Sequence, residues 1–170
     1  TTKRVVFTEG ENPTVMQAVD NIVQKQLCLP IVLGREDVIR SIIKDFGLTI
    51  QPGQDFEIVD YDENEEWWRT FHRYTERRGK TLSEAREILR NSKTTQAAMM
   101  VKLGLADTMI TGTIGRFHRH LGRILSVSQQ DDGFSEVSAL SIIISSKFTL
   151  VIADTHVTPE PTAQAIAQMT

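Results

Sequence analysis

The first 60 residues alternate between strand-like and helix-like patterns, and this alternation constrains the fold more than any other feature. Short bounded apolar runs predict strands at residues 4–7, 30–34 and 56–59. Between them, apolar residues at helical spacing predict one helix from Pro13, after Asn12, and a second over residues 35–46. Parallel strands are joined by crossovers that are usually helices, so the pattern is typical of an α/β domain. We therefore predict a three-layer α/β/α fold with a mostly parallel sheet.

The remaining chain continues the alternation of predicted strands and helices, with a larger share of helix. The predicted helices are 63–78, 81–89, 93–103, a short one from 116, and 162–169, and the predicted strands are 107–111, 137–145 and 150–153. An α/β unit normally continues to another strand, yet this one stops at Thr170. The chain also begins at Thr1 rather than Met. We therefore expect residues 1–170 to be one domain that is incomplete at its C-terminus.

Composition excludes several classes of protein. With 40% hydrophobic and 24% charged residues, the 170-residue chain is unlike collagen or a disordered segment. A net charge of −3 argues against nucleic acid as a partner. Cys28 is the only cysteine, which excludes an internal disulfide or a cysteine-based zinc site. No apolar run approaches the ~18 residues of a membrane span, and the first residues include no long apolar stretch, so we expect no signal peptide and a cytoplasmic protein without a membrane partner.

The most informative segment is a strand that runs into two glycines and then a helix. Thr111 ends the predicted strand, Gly112, Thr113 and Gly115 lie in the turn (residues 112–115, the glycine loop), and Arg116 begins the helix. Unpaired amides at such a turn attract anions, and the helix dipole adds to that attraction. The alternative is a plain turn in which glycine serves only the backbone. From the residues alone both interpretations stay open.

Three further groups are candidates for chemistry. Residues 116–123 hold five basic or imidazole side chains, Arg123 among them, and no acid, which fits either a polyanion site or a solvated basic face. His118 and His120 diverge on a helix, so we predict no metal site there. The adjacent Arg77 and Arg78 complement a helix C-terminus or reach a phosphate. Asp154 and His156 form either an acid/base pair or, as we favour, a braced loop.

Several segments in order resemble phosphate acetyl/butyryltransferases along nearly the whole chain. They are residues 7–10, 76–81, 84–86, 98–104, 106–112, 152–155 and 159–163. The sequence Gly-Thr-Ile-Gly-Arg-Phe from Gly112 is most similar to the variant fused to the C-terminus of NADP-dependent malic enzymes, where true acyltransferases have a His-Ser-Thr type sequence after the glycine. The chain also departs from the family at Thr14 and Thr158, where Arg and Asn are usual, and at Gly122, which precedes Arg123.

The resemblance implies a fold and a role. Family enzymes move an acetyl group between CoA and phosphate in a cleft between two subdomains of an isocitrate/isopropylmalate dehydrogenase-like fold, and their key catalytic residues would lie beyond Thr170. In malic enzyme fusions the domain is regarded as non-catalytic. It binds acetyl-CoA as an effector, while NADP and a divalent metal belong to the N-terminal malic enzyme domain, and the family is dimeric as a rule.

Two functional hypotheses follow from the resemblance. The first is a non-catalytic, acetyl-CoA-sensing domain of a malic enzyme that converts malate to pyruvate. The second is a fragment of a working phosphate acyltransferase. For either, the expected ligand-binding residues are Thr111, Gly112, Thr113, Gly115, Arg116, Arg77, Arg78 and Arg123, with no catalytic or metal-binding residue in the chain.

Overall fold

The computed structural model describes residues 2–60, 65–128, 137, 139–153, 157 and 160–169. The chain divides into two compact units, Thr1–Gln129 and Gln130–Thr170. No helix in the described part of the chain is both long and apolar enough to cross a membrane.

The first unit is built on a four-stranded parallel sheet. Its strands are β1 (Arg4–Phe7), β2 (Leu29–Leu33), β3 (Glu57–Val59) and β4 (Thr108–Ile110), in the order β3-β2-β1-β4. In the register of the sheet, Val6 of β1 lies between Ile31 and Met109. The predicted α/β class and parallel sheet are confirmed.

Six α-helices of the first unit follow the start and stop signals of the sequence. They are α1 (Pro13–Gln24), α2 (Glu36–Asp45), α3 (Glu65–Thr75), α4 (Leu82–Asn91), α5 (Lys93–Lys102) and α6 (Phe117–Val127), with a 3-10 turn at Glu76–Arg78. The Asn12 side chain accepts from the Thr14 amide to cap α1. Thr81 and Glu84 form a reciprocal capping box at the start of α4.

Side chains that alternate along β1 divide the core between the two faces of the sheet. Val5 and Phe7 pack in one cluster with buried residues of α1 and α2. Val6 packs on the opposite face with Ala97 and Met100 of α5. Because successive strand residues point to opposite faces, one four-residue strand anchors both helical layers. The three-layer arrangement is thereby explained by the sequence of β1.

Helix α5 is buried on nearly all sides. Its residues from Thr94 to Met100 are all buried, which a helix packed on one side only would not allow. One side of α5 faces the sheet, and Ala98 and Met99 join a second helical cluster with Phe71 of α3 and Val127 of α6. Trp67 of α3 contributes to both clusters.

The second unit contains an antiparallel pair, β5 (Leu140–Ile144) and β6 (Thr149–Ala153), and the helix α7 (Ala163–Met169). The expectation of about six strands in one sheet is therefore wrong, because β5 and β6 form a separate two-stranded sheet. Residues 145–148 connect the two strands directly, and so short a connection joins only antiparallel neighbours.

Candidate functional site

The strand order reverses next to β1, and this reversal creates a crevice. The chain moves from β1 outward to β2 and β3, and β4 then pairs with the other edge of β1. In open parallel sheets, ligands bind at the carboxyl ends of the strands at such a reversal. Thr8 and Glu9 follow β1 there, and Thr111 and Gly112 follow β4. The glycine loop therefore lies where the fold itself favours a ligand.

Both glycines of the glycine loop have a backbone conformation that favours glycine, and Gly115 also has no room for a side chain. Gly112 has φ of 111° and Gly115 has φ of 110°, in a region that side chains with a Cβ rarely adopt. At Gly115 a Cβ would also lie 2.8 Å from Nε2 of His120. Thr113 and Gly115 make no hydrogen bond to any residue that the structure describes. Part of the loop is thus available to a ligand.

The first amide of the loop is already occupied. The Gly112 N–H donates to Oε1 of Glu9, at 2.9 Å. Glu9 is half-buried and leaves the end of β1. An anion that binds this amide must displace a carboxylate of the protein, since two anions do not share one donor at low cost. The predicted role of Gly112 in anion binding therefore involves competition with Glu9.

The Thr111 hydroxyl is engaged inside the protein. It accepts a hydrogen bond from the buried Thr8 hydroxyl at 2.8 Å. It also lies 3.4 Å from the hydroxyl of Thr94 and 3.3 Å from Nδ1 of His120. Thr111, predicted from the sequence as an anion ligand, thus lies in a network that connects β1, β4, α5 and α6.

Arg116 is the exposed residue that precedes α6, and its side chain makes no capping hydrogen bond. Its carbonyl oxygen accepts from the amides of Arg119 and His120, whereas its guanidinium has no hydrogen-bond or ion-pair partner within the described residues. Seven residues separate Arg116 from Arg123, which is about 10 Å along the axis of α6. With Arg119 between them, three cations and no acid lie along this stretch of the chain.

A groove of about 450 Å³ lies at the Arg123 end of this stretch. Arg123 and Gly122 of α6 line it together with Arg78 and Lys80, and Phe71 and Ile88 are among its apolar lining residues. The structure therefore brings Arg78 and Arg123 to one groove and Gly112 to Arg116 to one loop. Arg77 is exposed on the 3-10 turn and lines neither place.

Sequence reasoning missed an ion cluster beside the crevice. Oε2 of Glu11 accepts from the Arg35 guanidinium at 3.0 Å, and Oε1 accepts from Nζ of Lys93 at 2.6 Å. The hydrogen bond from Arg35, reinforced by Lys93, lowers the pKa of Glu11 from its ordinary value of 4.5 to about 2. The cluster fixes the β1–α1 connection against the starts of α2 and α5. No local pattern signals it, because the partners are 24 and 82 residues away.

Replacing Glu11 with glutamine is expected to lower the free energy of unfolding at pH 7 by about 2 kcal/mol. The folded-state pKa of Glu11 is depressed, so its contribution to stability is present above about pH 4.5 and is lost as the pH falls towards 2. Wild type and Glu11→Gln should therefore converge in denaturant unfolding at pH 2. The control is Glu36→Gln, which removes an exposed pair with Arg40 and should cost under about 0.5 kcal/mol. A constant difference from pH 7 to pH 2 would contradict this assignment.

Two other predictions from the sequence concern the Asp154–His156 pair and metal binding. Asp154 and His156 lie outside the described residues, so the structure does not address them. Within the described ranges, no three His, Cys, Asp or Glu side chains converge as a metal site would require.

Comparison with known proteins identifies the family. The family model described as Phosphate acetyl/butaryl transferase matches residues 1–170. The chain belongs to this family. Its fold is similar to that of a phosphotransacetylase from Streptococcus pyogenes, with a TM-score of 0.83 and 27% identity over 99% of this chain and 51% of that one.

Two relatives at higher identity are malic enzymes, as the sequence resemblance predicted. The NADP-dependent malic enzyme of Escherichia coli is 37% identical over 171 residues, which cover 99% of this chain and 22% of that protein. That of Haemophilus influenzae is 33% identical over 171 residues, or 99% and 23% respectively. The chain thus spans about a fifth of the malic enzymes and half of the phosphotransacetylase chain.

Proposed function

We propose that this chain is the acetyl-CoA-sensing domain of an NADP-dependent malic enzyme and does not itself transfer an acyl group. The observation that carries the proposal is the row of cations on α6. It runs from the glycine loop, where the Arg116 guanidinium has no partner among described residues, to the groove that Arg78 and Arg123 line.

The spacing of these cations favours a long, multiply charged ligand over a single small anion. Arg116 and Arg123 are about 10 Å apart along the helix axis. Inorganic phosphate bridges only one or two neighbouring guanidinium groups. CoA carries a diphosphate and a separate ribose phosphate, so its charges can contact both ends of the row. Half-buried Ile88 in the groove adds apolar surface suited to the uncharged parts of such a ligand.

The same site is poorly suited to catalysis with phosphate. In family enzymes a phosphate oxygen must reach the acyl carbonyl, and this requires a phosphate bound beside the thioester. Here the Glu9 carboxylate holds the Gly112 amide, and Arg116-Phe117 stand where the acyltransferases carry small hydroxyl residues. We therefore assign the domain to binding, and the malate, NADP and divalent metal to the malic enzyme domain of the larger protein.

The alternative is that the chain is part of a catalytic phosphate acetyl/butyryltransferase. The similarity in fold to a phosphotransacetylase over 99% of the chain favours it. That similarity extends over only 51% of the neighbour, so the remaining residues of a catalytic cleft would have to come from elsewhere.

The test is malate-dependent NADPH formation by the whole protein that contains this domain, measured across a series of acetyl-CoA concentrations. The proposal predicts a saturable change in rate. Arg123→Ala should move the midpoint to higher acetyl-CoA without changing the rate in its absence, since Arg123 lines the groove and its guanidinium pairs with no described residue. A rate that is independent of acetyl-CoA would overturn the sensing role.

We also propose that the protein forms a homodimer through the exposed apolar surface of the β5–β6 hairpin. Ile142 and Ile144 lie on one face of β5 and are 60% and 80% exposed. An apolar patch of this kind commonly marks a protein interface. Sedimentation at micromolar concentration should show a dimer, and Ile142→Lys combined with Ile144→Lys should yield monomer. Ser146→Lys in the adjacent turn is the control, and dissociation by both variants alike would contradict the assignment.

A further inference from the structure

His120 makes more specific contacts than its place on a surface helix requires. Its Nε2 lies 2.8 Å from the carbonyl oxygen of Ile114, within the glycine loop. A carbonyl oxygen only accepts, so Nε2 carries the proton and donates. In the neutral ring Nδ1 is then an acceptor, and it lies 2.9 Å from the Thr94 hydroxyl and 3.3 Å from that of Thr111. Both ring nitrogens are therefore used.

The Thr94 and Thr111 contacts fix where the ring can be. Thr94 is 3% exposed and belongs to α5, a helix buried on nearly all sides. Thr111 is in turn held by the hydroxyl of Thr8, which is 2% exposed. Nδ1 thus rests on groups that cannot easily move, since moving them would leave buried hydroxyls without partners. The imidazole therefore connects the core rigidly to the glycine loop through its two ring nitrogens.

The absence of a side chain at Gly115 leaves space for the imidazole ring of His120. A Cβ at Gly115 would approach Nε2 of His120 to 2.8 Å, the same distance as the hydrogen bond to Ile114. The loop therefore packs closely against the ring, with Ile114 bonded to Nε2 and no room for a side chain at Gly115. Glu9 ties the first amide of the same loop to the end of β1. The loop is consequently held at both of its ends.

We propose that His120 is a positioning residue that holds the glycine loop in its ligand-binding conformation, an inference that rests on the proposed function of that loop. The imidazole does not touch the anion. Its hydrogen bond to Ile114 orders the loop before the ligand arrives. The binding free energy is therefore not reduced by the entropy cost of ordering the loop. Arg116, which directly follows the loop, is placed by the same contact.

The test compares two substitutions that remove different nitrogens. His120→Gln places an amide N–H near the position of Nε2 and keeps a donor for Ile114. His120→Asn is too short to reach the loop and keeps only contacts on the Nδ1 side. In calorimetric titration of the whole protein with acetyl-CoA, we expect His120→Asn to bind about tenfold more weakly and His120→Gln to stay within about threefold of wild type. His118→Asn, on the exposed side of the same helix, should bind like wild type.

A second measurement separates this inference from the proposed function. Amide hydrogen exchange across residues 113–116, without ligand, should accelerate in His120→Asn and remain slow in His120→Gln. If wild type fails to bind acetyl-CoA but the exchange rates follow this pattern, the proposed function is wrong, whereas the conclusion that His120 orders the glycine loop is supported. If both variants bind like wild type, or if both lose binding and unfold at the same lowered temperature, the positioning role is overturned.

Discussion

Replacing Arg116 with alanine is expected to weaken acetyl-CoA binding at least about tenfold, or about 1.4 kcal/mol, in calorimetric titration of the whole protein. The guanidinium follows a loop whose glycines give it space to approach an anion, at the positive end of the α6 dipole. A bidentate contact with phosphate makes two charge-assisted hydrogen bonds. Because the Arg116 side chain makes no capping bond, its loss should leave the thermal stability of the domain unchanged.

Arg119→Ala is the matched control for this prediction. Arg119 is exposed on the same helix and carries the same charge, so it accounts for the general electrostatic attraction of the basic face. We expect a smaller loss of affinity for Arg119→Ala, with a dependence on salt similar to that of wild type. Equal small losses of affinity in both variants would indicate that residues 116–123 form only a solvated basic face.

Replacing Gly10 with alanine is expected to destabilise the fold by about 3 kcal/mol, measured by denaturant unfolding. A Cβ at Gly10 would overlap Cγ1 of the buried Val32 and lie 2.9 Å from the carbonyl oxygen of Leu33. The Gly10 amide donates to that same carbonyl at 3.2 Å, so the two backbones are fastened together and cannot separate without losing the bond. The site would suffer too, because Gly10 lies between Glu9 and Glu11.

Gly34→Ala provides a matched control on the neighbouring strand end. The nearest atoms to a Cβ at Gly34 are Cδ1 of Ile39 at 3.1 Å and Cγ of Glu11 at 3.2 Å, and side-chain shifts of a few tenths of an ångström relieve both contacts. We expect a cost under about 1 kcal/mol there. A similar loss of stability in both variants would show that close backbone approach is not what requires glycine at position 10.

Local signals explain why most elements of the first unit are predictable from the sequence. The apolar run around Val6 and the helix starts at Pro13 and Thr81 carry their information within a few residues. Boundaries shift by a residue or two, as where α2 ends at Asp45 rather than Phe46. The separate β5–β6 sheet was harder to predict, since a strand pattern does not state which sheet the strand joins.

The candidate site was only partly predictable, for a physical reason. The glycine loop and Arg116 are contiguous in the sequence and could be found by pattern. The contact of Glu9 with Gly112 spans 103 residues, and that of Glu11 with Lys93 spans 82, so neither leaves a local trace. The sequence predicts no metal site at His118 and His120 and indicates no other role for His120. Only the fold shows that it contacts the loop six residues before it.

The most direct test of the central claim is release of free CoA thiol from acetyl-CoA in the presence of inorganic phosphate, at a concentration that saturates the domain in calorimetry. The claim that the domain binds acetyl-CoA without transferring the acetyl group predicts saturable binding and thiol release no faster than without protein. Thiol release above that background which survives repurification, and which Arg116→Ala abolishes, would contradict the claim and identify the chain as part of a working acyltransferase.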